Sequence, residues 1–93
     1  MRFEWDEAKR LSNLRDHEID FASVEKEDIF AGETLTRLDD RFEYGERRFL
    51  TLGLLKGEVV VIIHTEPDEG IRLISVRKAS RNEEIIYFKE VKN

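Results

Sequence analysis

The chain has 93 residues, with 21 acidic and 16 basic side chains, a formal net charge of −5, no cysteine and one proline. The length fits one compact domain over residues 1–93 with a small core, and the lack of cysteine excludes disulfides, thiolate metal sites and cysteine nucleophiles. The longest apolar run, Val59–Ile63, is far too short for a membrane-spanning helix, and the polar N-terminus lacks an apolar leader, so a cytoplasmic protein without a membrane partner is expected.

Met1–Trp5 reads as a short strand with Phe3 and Trp5 on one face. Asp6 is placed to cap a helix carrying Ala8, Leu11 and Leu14 at helical spacing, and Asp16–Asp20 breaks it. Asp20 caps a second short helix, with Phe21, Val24 and Ile29 or Phe30 turned inward and Gly32 at its end. The period then changes. Thr34–Leu38 reads as a strand and Asp39–Glu46 as a polar connection, within which Phe42 and Tyr44 alternate. Arg47–Leu55, Glu58–Glu66 and Ile71–Lys78 are the strongest strands, joined by turns at Lys56-Gly57 and Pro67-Asp68-Glu69-Gly70. Ser80 and Glu83 have capping-box spacing ahead of a last helix running toward Val91. The order β-α-α-β-β-β-β-α predicts a small α+β domain with a largely antiparallel sheet, two N-terminal helices and one C-terminal helix.

A two-residue turn at Lys56-Gly57 places Leu55 opposite Glu58, Leu52 opposite Val61 and Phe49 opposite His64. A symmetric second turn places Glu66 opposite Ile71, His64 opposite Leu73 and Val60 opposite Arg77. One face then carries Leu50, Leu52, Leu54, Val59, Val61, Ile63, Ile74 and Val76, an apolar layer for the helices to cover. The other carries Phe49, Thr51, Val60, Ile62, His64, Leu73, Ser75 and Arg77, a mixed, half-open face. A bulge in either hairpin reverses the assignments beyond it.

The charge is uneven. Residues 1–70 hold 10 basic against 18 acidic side chains, a net of −8, whereas residues 71–93 hold 6 against 3, a net of +3. Local fields, not totals, decide where a polyanion docks. Arg77 offers a fork of donors for phosphate. Arg72 lies near Arg48 and Thr65, either binding in a groove or pairing with Glu66 or Glu69. His64 has the side chain for acid–base work near neutral pH, or for a buried hydrogen bond. Glu83 divides between the helix cap and deprotonation of a ribose hydroxyl, and Tyr87, at i+4, between phosphate binding and base stacking. Ile85, Phe88 and Val91 read as packing residues. Arg48, Lys78 and Arg81 complete the candidate RNA-binding set. The two histidines and scattered carboxylates have no metal-ligand spacing, so neither a metal nor a cofactor is expected.

Phe3-x-Trp5-Asp6-x-x-Lys9, then Asn13, His17 and Asp20-Phe21, resembles the opening of the BrnT family of type II toxins. Arg47-Arg48-Phe49-x-x-x-Gly53, His64-Thr65-Glu66 and Ile71-Arg72-Leu73-Ile74-Ser75-x-Arg77-x-Ala79, with Glu83 and Tyr87, agree with it. The resemblance spans Phe3 to Tyr87 and implies a RelE-like fold. It also implies a metal-independent RNA-cleaving toxin that suppresses translation, uses the RNA 2′-hydroxyl as nucleophile, and is neutralised by a DNA-binding BrnA-like antitoxin. A heterotetramer built on a dimeric antitoxin, touching promoter DNA only through that partner, is the implied assembly. The family's functional positions fall on Arg72 and Arg77, with Glu83 and Tyr87 as weaker carry-overs. The chain departs from the pattern at Glu18, where glycine is usual, and at His64, where tyrosine is frequent. Asn82, Glu84, Ile85 and Ile86 stand where arginines are common. The poorly basic last helix leaves open a catalytically weak homologue that binds the antitoxin and acts as a co-repressor.

Overall fold

The computed structural model describes residues 2–41, 43–67 and 69–91. Met1, Phe42 and Asp68, expected in the first strand, the alternating loop and the second turn, lie outside the described residues. Strand β1 (Arg2–Trp5) leads directly into α1 (Glu7–His17), because the Asp6 side chain accepts hydrogen bonds from Ala8 N (2.8 Å) and Lys9 N (3.3 Å). Glu18 ends α1 in a left-handed conformation, φ 58°, its N–H bonded to Leu14 O. Asp20 caps α2 (Phe21–Lys26) through Ala22 N. The expected helix to Gly32 is split, since Asp28 at φ 51° stops the α-helical run and leaves one 3₁₀ turn, Ile29–Ala31.

Strand β2 (Leu35–Leu38) is followed by the 39–48 connection and by β3 (Phe49–Leu55), which starts two residues later than the sequence predicts. Lys56 and Gly57 both take positive φ, 51° and 83°, the conformation of a two-residue hairpin turn whose twist matches its strands. Strands β4 (Glu58–Thr65) and β5 (Gly70–Lys78) follow. Ser80 and Glu83 form a reciprocal capping box for α3 (Arg81–Glu90).

The sheet order is β1-β5-β4-β3-β2, with β1 parallel to β5 and the other pairs antiparallel. The β3–β4 register is the one expected, Leu55 opposite Glu58 through Phe49 opposite His64. Between β4 and β5 the register shifts: His64 faces Leu73, but Ile63 faces Ser75, so Ile74 is an extra residue on β5. Past this bulge Val61, not Val60, faces Arg77. Every side chain beyond it therefore exchanges faces relative to the sequence expectation: Val76 leaves the Leu50–Val61 face, and Arg77 joins it.

Both faces are covered, and not as expected. Val60, Ile62, Ile71, Leu73 and Val76 pack beneath Phe21 and Val24 of α2 and Ile29 of the 3₁₀ turn. The mixed, half-open face of the sequence reading is thus the one under the N-terminal helices. The 3₁₀ turn lies close on β3 at Gly53, where an added Cβ would meet Ile29 Cγ2 at 2.7 Å. On the opposite face Leu50, Leu52, Val59, Val61 and Ile63 surround Tyr87 of α3.

Helix α1 corrects a second expectation. Ala8, Leu11 and Leu14 face outward, and the inward side is polar. Buried Asn13 donates to Ile19 O and Val76 O, each at 2.9 Å, and accepts from Val76 N at 2.9 Å. β1 pairs with β5 only as far as Leu73, so beyond it the amide of Asn13 serves the exposed edge of β5 as a further strand would. Arg10 adds a bridge to Asp20 at 3.0 Å. Removing the Asn13 amide strands a buried N–H and two carbonyls, each a loss of order 1–3 kcal/mol when unsatisfied. Asn13→Ala is expected to destabilise the fold by ~2–4 kcal/mol, read as a lower denaturant midpoint at unchanged m-value; no shift in midpoint would disprove the clamp.

Candidate active site

The bulge gathers cations onto the α3 face. Arg72, Ile74 and Arg77 of β5 all point to that side, whereas without the extra residue Arg72 and Arg77 would alternate. They remain at opposite ends of the strand, roughly 13–16 Å apart by strand rise, and each sits in its own cluster.

The first cluster centres on Glu46. Its Oε1 accepts from Arg72 at 2.8 Å and its Oε2 from Arg48 at 3.3 Å, so one carboxylate bridges two guanidinium groups. The 39–48 connection holds it there. Arg41 binds buried Asp39 through two hydrogen bonds, 2.7 and 3.0 Å, and keeps its carboxyl below the usual range. Tyr44 donates to Asp39 Oδ2 at 3.2 Å, and the Arg48 guanidinium lies 4.1 Å above the Tyr44 ring. Asp39 N–H bonds to Arg48 O at 2.8 Å, which pins the far end of the connection. Glu46 and Arg72 face a cleft of about 390 Å³ with Phe49, Thr65 and Glu66, and a second of about 290 Å³ with Lys9 and Arg48. Two buried polar atoms at this place, Arg48 Nε and Thr65 Oγ1, have no hydrogen-bond partner among the described residues.

The second cluster joins β5 to α3. Arg77 binds Glu83 with two parallel bonds, 2.8 and 2.9 Å, while Glu83 Oε1 also accepts from Ser80 N at 2.7 Å. Arg77 and then Ser80 stabilise the charged form, holding the Glu83 carboxyl down at about 2. Such a carboxylate is a weak proton acceptor and a good strut.

His64 lies on the other face, fully buried, with its ring 5.0 Å from Phe30 and 5.8 Å from Phe49. Nε2 is 2.7 Å from Thr51 Oγ1, itself 2.7 Å from Thr36 Oγ1, and burial lowers its pKa to about 4. It is neutral at pH 7, sealed from solvent, and separated by the sheet from Arg77, which corrects the shared face expected for the two. Tyr87 is fully buried and donates to Glu33 O at 2.8 Å, so it anchors α3 and does not line a groove beside Glu83. Lys78 faces away from Arg77 and pairs with Glu58 at 3.5 Å, and Arg81 is exposed in the first turn of α3. Ile85 and Phe88, read as packing residues, are 53% and 45% exposed, because the inward turn of α3 is taken by Tyr87.

Of the candidate residues, the structure thus brings Arg48 and Arg72 together and joins Arg77 to Glu83. Glu46, Tyr44, Asp39 and Arg41 were not singled out by the sequence. The signal for Glu46 lay in its place two residues before Arg48, but its contact with Arg72, 26 residues away, depends on the β3–β4–β5 register. Among the described residues, no group of three or more His, Asp or Glu side chains is arranged to hold a metal ion.

Two outcomes follow from these environments. Below pH 6.5 the unfolded chain protonates His64, while the folded chain resists until about pH 4. The folded-state pKa is depressed, so stability falls by roughly 3 kcal/mol from this group as pH drops between those values. Denaturant unfolding against pH, with the His64 ring protons followed by NMR, checks it; titration of that ring near pH 6.5 would refute the sealed environment. Glu83→Gln loses the ionic cap and the bidentate pair and should cost ~1–2 kcal/mol at pH 7. That difference should shrink as pH falls from 4.5 toward 2, where the native carboxylate itself protonates.

The sequence matches, over residues 5–83, the family described as the ribonuclease toxin, BrnT, of type II toxin-antitoxin systems. The fold resembles the crystal structure of the Brucella abortus ribonuclease toxin, BrnT, with a TM-score of 0.64 and 26% identity, covering 87% of this chain and 99% of that one. No curated protein sequence gives a match. A small α+β domain with a mixed sheet and three helices, carrying this family's signature through its strands and into its last helix, belongs to the BrnT toxin family.

Proposed function

We propose that the chain is a metal-independent endoribonuclease toxin that cleaves RNA and thereby suppresses translation in the cytoplasm. The observation that carries this reading is the Arg48–Arg72 pair, two guanidinium groups converging on the Glu46 carboxylate at the meeting of two clefts. Convergent arginines bind a phosphodiester and stabilise the extra negative charge of its five-coordinate transition state. Family membership supports the ribonuclease chemistry and an antitoxin partner. In this reading Arg48 and Arg72 hold the scissile phosphate. Arg77, tied to Glu83, supplies a second cationic contact further along the RNA, with Arg81 beside it. His64 and Tyr87 support the scaffold, and Lys78 has no contact with the substrate.

A second reading is favoured by the way each cluster already engages a carboxylate, and by apolar side chains turned outward. Leu11 and Leu14 on α1 and Ile85, Ile86 and Phe88 on α3 are exposed. In that reading the chain is a catalytically weak homologue that binds a dimeric DNA-binding antitoxin, two toxins to one dimer, and acts in promoter repression.

One experiment separates them. The chain is expressed with and without the product of its neighbouring gene, and growth, RNA integrity and the mass of the co-purified complex are measured. Growth arrest with RNA cleavage is expected, relieved by the partner. Arg72→Ala should lower cleavage by roughly 100-fold, as loss of one preorganised charge donor does, with the circular dichroism spectrum intact. Intact RNA and normal growth with the unmodified chain would leave the co-repressor reading.

A further inference from the structure

We propose that Glu46 is the general base of the cleavage, the residue that takes the proton of the attacking ribose 2′-hydroxyl; this rests on the ribonuclease reading above. The other candidate catalytic residues, His64, Glu83 and Tyr87, are engaged elsewhere. The imidazole of His64 is buried on the opposite face. Glu83 closes the capping box of α3 through Ser80 N, so a substrate cannot free it without opening the start of the helix. Tyr87 is buried and bonded to Glu33 O. Glu46 is held by two arginines on a connection that opens onto the clefts, with its side chain about a third exposed.

The same contacts define its place in the reaction. A phosphodiester that binds Arg48 and Arg72 takes over the donors that Glu46 now occupies, leaving the carboxylate beside the phosphate and the adjoining ribose. Arg48 Nε and Thr65 Oγ1, buried and without a hydrogen-bond partner among the described residues, belong to side chains that line the two clefts. Glu46 accepts the 2′-hydroxyl proton as O2′ forms its bond to phosphorus. The P–O5′ bond breaks, the 5′ oxygen leaves with a proton from water, and Glu46 later returns its proton to solvent. The products are a 2′,3′-cyclic phosphate and a 5′-hydroxyl end. No oxidant, metal or further reactant enters the balance. The charged groups about Glu46 are Asp39, Asp40, Glu43, Arg47 and Arg48 on its own connection, Arg72 on β5, Asp6 and Lys9 at the start of α1, and Glu66 after β4.

The test uses the full chain with messenger RNA, both free and on translating ribosomes, and measures cleavage rate against pH. An all-deoxy oligonucleotide, which lacks the nucleophile, measures binding separately. Glu46→Gln is expected to slow cleavage at least 100-fold, within the usual range for loss of a general base. It should also remove the acid limb of the pH–rate profile and leave oligonucleotide binding unchanged or tighter, since a competing carboxylate charge is gone. A variant that cleaves at the native rate overturns the assignment while the ribonuclease reading stands. So does a variant that loses binding and cleavage together, because Glu46 would then only position the arginines. Loss of cleavage in Glu66→Gln, with Glu46→Gln still active, gives the role to the neighbouring carboxylate. An unmodified chain that leaves both RNAs intact overturns the ribonuclease reading and this assignment with it.

Discussion

Between Leu73 and Ser75, β5 carries one residue more than the strand beside it, and much of the molecule depends on that surplus. A strand alternates its side chains, so Arg72 and Arg77, five positions apart, belong on opposite faces of a regular sheet. The bulged Ile74 cancels the odd step and puts both on the face covered by α3. The same step sends Val76 to the other side, under the N-terminal helices, where its hydrophobic side chain completes the first core. Strand bulges commonly re-aim side chains near functional sites, and here one local irregularity sorts cations from core on two faces.

Electrostatics follow the same sorting. A net charge of −5 is poorly matched to a polyanion, but the cations of the candidate site are not averaged over the surface. Arg48 and Arg72 share Glu46, and Arg77 shares a cap with Glu83, so each guanidinium is held in a defined direction before any ligand arrives. Holding a donor in place costs rotamer entropy once, during folding, and spares that cost on binding. The two carboxylates nevertheless differ. Glu83 is built into the start of a helix and its charge is locked in, whereas Glu46 lies in a connection and opens onto clefts.

Much of the fold was legible because it is set by local chemistry. Asp6, Asp20 and Ser80 cap the helices they precede, and Lys56-Gly57 sets a register that holds along all of β3 and β4. Local chemistry misleads where the deciding contact lies far away in the chain. The outward stripe of Ala8, Leu11 and Leu14 has the spacing of a buried face, but α1 is held by Asn13, which answers backbone groups of Val76, 63 residues away. Tyr87 follows Glu83 by one turn, the spacing of a shared substrate face. Its ring instead fills the second core, and its hydroxyl meets Glu33 O, 54 residues away.

The candidate site divides along the same line. Sequence by itself determined the element order, the helix caps, the first hairpin register and the family, since turn residues, caps and a spaced signature act over a few residues at a time. It also placed Arg72 near Arg48, because a hairpin register carries across neighbouring strands. Only the tertiary structure decided which face each cation occupies, that His64 is a sealed core residue, and that Glu46 lies between two arginines. Those outcomes turn on a single inserted residue in one strand, and a period-two pattern contains no mark of where such an insertion falls until the neighbouring strand is in place.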